Sequence, residues 1–220
     1  MSDHLRRYRA IRDAFTPCYP GQPSGTVARH WLTLAALSSG IVGRKSTPLP
    51  HSAATVPHGT QPASRVKRCA RGCDTPHILE ELDFLPYADV LLRPLALPPL
   101  GLVRDGSGVG RGCTALMIHG VYKGRALPLA WRGRHAPQGH CPAALHSALV
   151  DLIRGLLPAG TPVVVRGDGA CDGARLQQTL QQAGWAYACR PATSTVAPWE
   201  GETCRLEALG ACLKPGRLIE

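Results

Sequence analysis

The sequence predicts an α/β protein in which a small helical module precedes a mixed sheet with flanking helices. Two observations carry this prediction. Residues 1–90 combine basic side chains with apolar residues at helical spacing, whereas in residues 91–220 strand-like apolar runs alternate with helical segments. A chain of 220 residues is long enough for one or two domains. We therefore predict a helical basic module over residues 1–90 and an α/β domain over residues 91–220.

The first module is predicted to contain short helices separated by breakers. Apolar residues at helical spacing predict helices over residues 2–15 and 26–38. Residues 64–73 have the charge spacing of a helix, and residues 78–85 form a short amphipathic segment. Residues 43–64 hold four prolines among Ser, Thr and His, which predicts a loop.

The second domain changes to the period of a sheet. Three strand-like runs come first, and the second and third are joined by a hairpin signal at Lys123 and Gly124. Two helix-strand pairs follow. The predicted elements are strands over 98–108, 115–122 and 125–132, a helix over 142–157, a strand over 162–169, a helix over 174–184 and a strand over 185–190. The two crossovers imply a sheet that is partly parallel.

The charge of the chain favours an anionic partner. Lys and Arg number 25 and Asp and Glu 15, a net charge of +10, and 21 of the basic residues are Arg. Residues 1–100 contain 12 basic and 7 acidic side chains, and residues 101–220 contain 13 and 8, so each part carries a net charge of +5. The charge therefore belongs to the folded surface. Because guanidinium groups match phosphate geometry, we expect nucleic acid as the partner.

Other protein classes are disfavoured by the sequence. No apolar run approaches the roughly 18 residues that span a bilayer, so we expect no membrane partner. The N-terminal segment MSDHLRRYRAIRDAF is too charged for a signal peptide. Nine cysteines without framework spacing indicate thiols in a reducing cytoplasm.

Two aspartates occupy matched positions after apolar runs. Asp105 follows the first run and Asp168 the fourth, and each precedes a glycine. If the two strands are neighbours, the carboxylates converge at one edge of the sheet, where a divalent cation relieves their repulsion. Mg²⁺ suits such a site because it binds few carboxylates and keeps room for water and phosphate oxygens. Asp-Gly pairs are also common turn sequences, and spacing alone leaves both readings open.

Three sequence stretches resemble the catalytic core of bacterial insertion-sequence transposases of the DDE type. The resemblance runs over nearly the whole chain and is specific at LVxDGS, at the YKGRALPLAW hairpin and at the GDG strand end. The stretches are YADVLLRPLALPPLGLVRDGSGVGRGCTALMIHGVYKGRALPLAWR, VVVRGDGACDGARLQQTLQQAGWAYACR and STVAPWEGETCRLEALG.

This resemblance implies an RNase H-like fold and DNA chemistry. Such enzymes use two Asp and one Glu to hold Mg²⁺, or Mn²⁺, while they cut and rejoin DNA in transposition of an insertion element. By position, Asp105 is the first carboxylate and Asp168 the second. The implied partner is double-stranded DNA at transposon ends, and a homodimer is one assembly to consider. The implied location is the nucleoid in a bacterial cytoplasm.

The sequence departs from the family pattern at several positions. Nothing matches the Tyr/Arg/Glu/Lys signature that carries the Glu, and the chain stops at KPGRLIE, inside a β-rich insertion by our reading. Glu220 is not expected to be the third ligand. Arg104 replaces an apolar residue before the first Asp, and strand alternation directs it away from Asp105 into a packed layer. We therefore expect an incomplete RNase H-like domain in a truncated transposase that is inactive alone.

Basic residues near the SRVKR stretch are the candidate DNA contacts. Phosphate contacts contribute a salt-dependent and sequence-independent part of affinity. The candidates are Arg65, Lys67, Arg68 and Arg71, with Arg132 and Arg134 after the hairpin as weaker ones.

Cysteine and histidine clusters are weighed as metal sites and set aside. Cys69, Cys73 and His77 lack a second pair at structural zinc spacing. A second cluster lies in a polar connection and is interpreted as scattered surface residues: His135, His140, Cys141 and His146.

Three other functions stay open. The chain is alternatively a non-catalytic DNA-binding remnant that regulates an intact transposase. A metal-dependent nuclease or phosphatase that works with two carboxylates is a further class. The last is a translated product without a stable fold.

Overall fold

The structure is a computed structural model of the chain. It describes residues 2–19, 21–57, 59–75, 80–95, 99–110, 112–135, 141–168, 173–190, 194–199 and 201–212. The chain divides into two compact units, Met1–Leu91 and Leu92–Glu220. All described strands lie in the second unit. The α/β class with a mixed sheet and flanking helices is thus confirmed.

The first unit is built from helices. They are α1 (Asp3–Phe15), α2 (Gly25–Arg44), α3 (Leu49–Ala53), α4 (Pro62–Cys73), α5 (Glu80–Asp83) and the larger part of α6 (Leu85–Leu95), with a short 3-10 turn at Thr16–Cys18. The helices predicted over residues 2–15 and 64–73 are confirmed. The helix predicted to end at Ser38 continues to Arg44. No helix among the described residues is both long and apolar enough to cross a membrane.

The loop predicted over residues 43–64 is wrong at Leu49–Ala53, which form α3. Gly40 of α2 makes room for this helix, because a Cβ at that position would overlap the backbone oxygen of Ser52. Thr55 Oγ1 also donates a hydrogen bond of 3.3 Å to the carbonyl oxygen of Gly40. Helix α3 therefore packs on the backbone of α2, a tertiary contact that local proline content does not reveal.

The core described for the first unit includes a cluster of small side chains. Its buried members are Ala36, Ala53, Val56 and Cys69, and the partly buried residues around them are Tyr8, Leu37, Leu49 and Val66. Burial raises the pKa of the Cys69 thiol. Cys69 is therefore a buried core thiol, whereas Cys73 is exposed and His77 lies outside the described residues.

The second unit contains every strand and helix predicted for residues 98–190. These are β1 (Leu100–Gly110), β2 (Cys113–Tyr122), β3 (Arg125–His135), α7 (Ala143–Leu156), β4 (Val163–Gly167), α8 (Ala174–Gln182) and β5 (Ala186–Cys189). A separate hairpin, β6 (Val196–Trp199) and β7 (Glu202–Arg205), leads into α9 (Leu206–Cys212).

The main sheet has the strand order β3-β2-β1-β4-β5. Strand β2 is antiparallel to both β1 and β3, whereas β4 is parallel to both β1 and β5. The parallel pairs are joined by crossovers through α7 and α8. The prediction that the first and fourth strands could be neighbours is confirmed.

The two faces of this sheet differ in exposure. Leu102 and Arg104 of β1 are buried, whereas Val103 between them is half-buried and Asp105 is exposed. We call the face with Leu102 and Arg104 the covered face and the face with Val103 and Asp105 the carboxylate face. Helix α8 lies on the covered face, where Gln177 accepts a hydrogen bond from Tyr187 of β5. Helix α7 contacts α8, β2 and β3.

Candidate metal centre at one edge of the sheet

Asp105 and Asp168 come together because of the register between β1 and β4. The parallel pairing runs in step to Arg104 and Gly167, and each aspartate is the next residue on its chain. Adjacent strands lie about 4.8 Å apart, so the two aspartates occupy neighbouring positions. Both are exposed. The structure thus places the two predicted ligands at one edge, on side chains that solvent and solutes reach.

Asp105 follows the first apolar run, but it does not end β1 on the β2 side. Pairing with β4 stops at Arg104, but β1 continues to Gly110 and remains paired with β2. The glycines after Asp105 therefore form a hairpin arm rather than an immediate turn. The turn comes later, where Gly110 and Gly112 adopt φ values of +91° and +71° that glycine tolerates best.

Ser107 is a site residue that sequence analysis missed. It follows Asp105 by two positions, so strand alternation puts both side chains on the carboxylate face. Ser107 Oγ donates a hydrogen bond of 2.8 Å to Asp105 Oδ2. This bond restricts the carboxylate rotamer and leaves Oδ1 as the other oxygen for a ligand. The DGS sequence contains both residues, but an Asp-Gly pair was interpreted as a turn. In a strand, the same spacing of two residues places Asp105 and Ser107 on one face.

Arg104 and Arg166 lie on opposite faces beside the two aspartates. Arg104 is 3% exposed, which confirms that it turns into the packed layer while Asp105 faces outward. Arg166 pairs with Val103, precedes Asp168 by two residues and is exposed, so it lies on the carboxylate face. A guanidinium there is suited to a phosphate group that approaches the carboxylates.

Trp131 completes a row across the carboxylate face. Asp105 pairs with Met117, and Met117 pairs with Trp131 of the edge strand β3. Two strand spacings separate Trp131 from Asp105, about 10 Å. The indole is 40% exposed. It offers an aromatic surface at the level of the carboxylates.

Arg132 and Arg134, the weaker predicted DNA contacts, lie on the other face. They pair with Leu116 and Thr114, which are both buried on the covered face. Arg132 is half-buried and its Nη1 donates to the Trp131 carbonyl oxygen at 3.1 Å, whereas Arg134 is exposed. The structure therefore does not bring these two arginines together with Asp105 and Asp168.

The donor set of the edge fits a hard divalent cation. Two exposed carboxylates supply oxygen ligands, and Mg²⁺ or Mn²⁺ takes such ligands while it keeps waters in its other positions. Among the residues that the structure describes, no group of three His, Cys, Asp or Glu side chains is placed to hold a metal. Glu220 lies outside the described residues, as does Asp172, a further carboxylate four positions after Asp168 in the sequence.

Helix α4 carries the main predicted DNA contacts, and the fold uses part of their charge. Arg65 Nη1 donates to the carbonyl oxygens of Ala54 and Val56, each at 3.1 Å. Arg68 is half-buried, and its Nη2 lies 3.5 Å from Thr33 Oγ1 as a donor. Arg65 thus fastens α4 to the chain that follows α3.

Lys67 and Arg71 are the exposed members of the predicted set on α4. Arg71 Nε donates to the Lys67 carbonyl oxygen at 3.4 Å, within the helix, and its guanidinium stays at the surface. These two side chains have the exposure that phosphate contacts require. Their role in DNA binding stays a prediction.

The interpretation of the second histidine cluster as surface residues is wrong for His146. That side chain is 4% exposed on α7, and its Nε2 lies 3.2 Å from the carbonyl oxygen of Cys141. His135 is exposed and lies beside Cys113, with 3.6 Å between Nε2 and Sγ. His140 is outside the described residues.

Comparison of the sequence with protein-family models and with curated proteins found no match. The geometry of the β1–β4 edge and the exposure of its side chains therefore carry the functional argument.

Proposed function

We propose that the chain is a DNA-binding protein of the DDE transposase type, in which Asp105 and Asp168 hold a divalent cation for DNA cleavage and strand transfer. The observation that carries the proposal is the in-step pairing of β1 and β4, which delivers both aspartates to one exposed edge. The strand order β3-β2-β1-β4-β5 supports an RNase H-like sheet for this domain.

The residues of the edge have distinct proposed tasks. Asp105 and Asp168 bind the cation, and Ser107 orients the Asp105 carboxylate through its 2.8 Å hydrogen bond. Arg166 binds a phosphate of the DNA on the same face. When bound, Mg²⁺ or Mn²⁺ supplies charge neutralisation for in-line attack by water or a 3′-hydroxyl on a phosphodiester.

We propose that strand transfer by this chain alone is weak or absent. The family mechanism uses a Glu as the third carboxylate, and no part of the sequence matches the signature that carries it. The proposed partner is double-stranded DNA at transposon ends, bound by one copy or by a homodimer. The proposed location is the nucleoid of a bacterial cytoplasm.

Metal binding tests the proposal independently of catalysis. We expect Mn²⁺ titration of the full chain, followed by electron paramagnetic resonance, to show one site that Asp105→Asn and Asp168→Asn each weaken more than about tenfold. Asp151→Asn is the matched control, because Asp151 is an exposed carboxylate on α7 that pairs with Arg154. Equal Mn²⁺ affinity in all four proteins would refute the site.

DNA binding is measured with a 5′-labelled duplex across a range of salt, with and without Mg²⁺. We expect the logarithm of the binding constant to fall linearly with the logarithm of salt concentration. DNA binding without a Mn²⁺ site would favour the non-catalytic remnant. Mg²⁺-dependent cleavage that Asp105→Asn abolishes would favour a two-carboxylate nuclease. Absence of binding at low salt would refute the DNA proposal.

A further inference from the structure

A cavity of about 310 Å³ lies within the first unit, between the end of α1, α2 and the α5–α6 segment. Its lining includes Phe15 and Phe84, which are both phenylalanines of the chain, and two of the five tyrosines, Tyr19 and Tyr87. Aromatic residues make up only 5% of the sequence. Four rings around one cavity are therefore a local concentration, and the proposed DNA chemistry does not use them.

Asp83 places a carboxylate in the same lining. Tyr19 Oη donates a hydrogen bond of 3.2 Å to Asp83 Oδ1. Burial, and then the nearby Asp83 charge, raise the pKa of the Tyr19 phenol, so it stays protonated and remains a donor. The wall thus combines aromatic surface with a carboxylate that a neighbouring hydroxyl holds in place.

This combination is complementary to a cation that carries apolar groups. The face of an aromatic ring attracts cations electrostatically, and cages of several rings recognise quaternary ammonium groups. A carboxylate adds attraction for a cation and repels an anion. The volume is at the lower end of the range for small-molecule sites. A neutral apolar molecule would gain from the rings but not from Asp83.

We propose that this cavity binds a small organic cation of the alkylammonium class, with the rings around the charged group and Asp83 as the counter-charge. The site is independent of the DNA and metal proposals, because its lining shares no residue with helix α4 or with the β1–β4 edge.

Choline and its neutral carbon analogue 3,3-dimethylbutan-1-ol form a matched pair of probes. We expect calorimetric titration of the full chain to show choline binding, with the alcohol about tenfold weaker. Asp83→Asn keeps an acceptor for Tyr19 and removes the charge, so choline affinity should fall about tenfold. Glu81→Gln makes the same charge change at an exposed position of α5 and should alter affinity less than about twofold.

Cys18 reports where the ligand sits. It lines the cavity and is buried, with its Sγ donating to the Ala14 carbonyl oxygen at 3.8 Å. Choline should slow alkylation of Cys18, followed by peptide mass spectrometry, while the exposed Cys73 reacts at an unchanged rate. Phe84→Leu keeps an apolar side chain and should weaken choline binding.

Four results would overturn the proposal. They are no choline binding at millimolar concentration, equal affinity for the alcohol, equal loss of affinity in Asp83→Asn and Glu81→Gln, and unchanged alkylation of Cys18. Circular dichroism of each variant shows whether the helices are retained, so that unfolding is distinguished from loss of the site.

Discussion

The carboxylates of the β1–β4 edge and the cations of helix α4 differ in how much of their charge the fold itself uses. Asp105 and Asp168 are exposed, and each directly follows the last β1–β4 pair, whose register places them side by side. On α4, by contrast, Arg65 donates to two backbone carbonyl oxygens and Arg68 is half-buried beside Thr33. Net charge therefore overstates the number of cations that a phosphate backbone can reach.

Side-chain length explains the difference. An aspartate is short, so the face of the strand decides where its carboxylate lies. An arginine has a long stem that packs along apolar surface while its head reaches groups several residues away in sequence. Arg65 uses that reach to bind the chain after α3. The position of a basic residue on a helix thus predicts its face but not the partner of its guanidinium.

The largest expected effect is a loss of stability caused by a substitution at Gly40 of α2. Helix α3 packs there, and Arg65 of α4 binds the chain that follows α3. We expect Gly40→Ala to lower the free energy of unfolding by about 3 kcal/mol, because the new Cβ would overlap the Ser52 backbone oxygen and displace α3. Chemical denaturation checks it. Gly21→Ala is the control, since nothing lies within 4 Å of its Cβ position. Similar stability of the two variants would show that α3 does not depend on this contact.

A smaller loss is expected when Arg65 is removed. Arg65→Ala should lower the free energy of unfolding by about 2 kcal/mol, because two carbonyl oxygens lose charged donors. Arg71→Ala makes the same charge change on an exposed position of α4 and should stay within about 0.5 kcal/mol. Denaturation curves of both variants test the division. If Arg71→Ala proves the more destabilising, the assignment of Arg65 as a structural residue is wrong.

The strands and helices of the main sheet domain in the second unit could be predicted from the sequence alone. Period-two alternation predicted the strands and the opposite directions of Arg104 and Asp105, and the order of elements made the first and fourth strands candidates for neighbours. These features depend on local pattern and on the short list of ways to connect strands and helices.

Contacts between distant segments could not be predicted in the same way. Helix α3 approaches the backbone of α2 closely at Gly40, whereas the proline content of this segment predicted a loop. The burial of His146 depends on how α7 packs. Ser107 was not predicted as a site residue because its glycine-rich segment favours a turn, whereas pairing with β2 keeps this segment extended.

Ser107 provides a test of how the Asp105 carboxylate is oriented at the β1–β4 edge. Ser107→Ala removes the 2.8 Å hydrogen bond to Asp105 without changing a ligand atom. We expect Mn²⁺ affinity to fall about tenfold, because residues that orient a ligand commonly contribute that much. Titration by electron paramagnetic resonance measures it, and the denaturation midpoint shows that the fold is retained. An unchanged affinity would mean that the bond does not orient the carboxylate for metal.

The smallest expected effect concerns Lys67, an α4 cation whose exposed position leaves it accessible to phosphate. Lys67→Ala should weaken duplex DNA binding about threefold near 0.1 M salt and reduce the slope of log affinity against log salt by about 1, because one fewer phosphate is neutralised. Arg154→Ala removes the same charge from α7, where the arginine pairs with Asp151, and should leave the slope unchanged. If both variants lower the slope equally, DNA responds to net charge rather than to α4. The exposed cations of α4 would then contribute no more to DNA binding than other surface cations. Helix α4 and the β1–β4 edge would differ only in the length of their charged side chains.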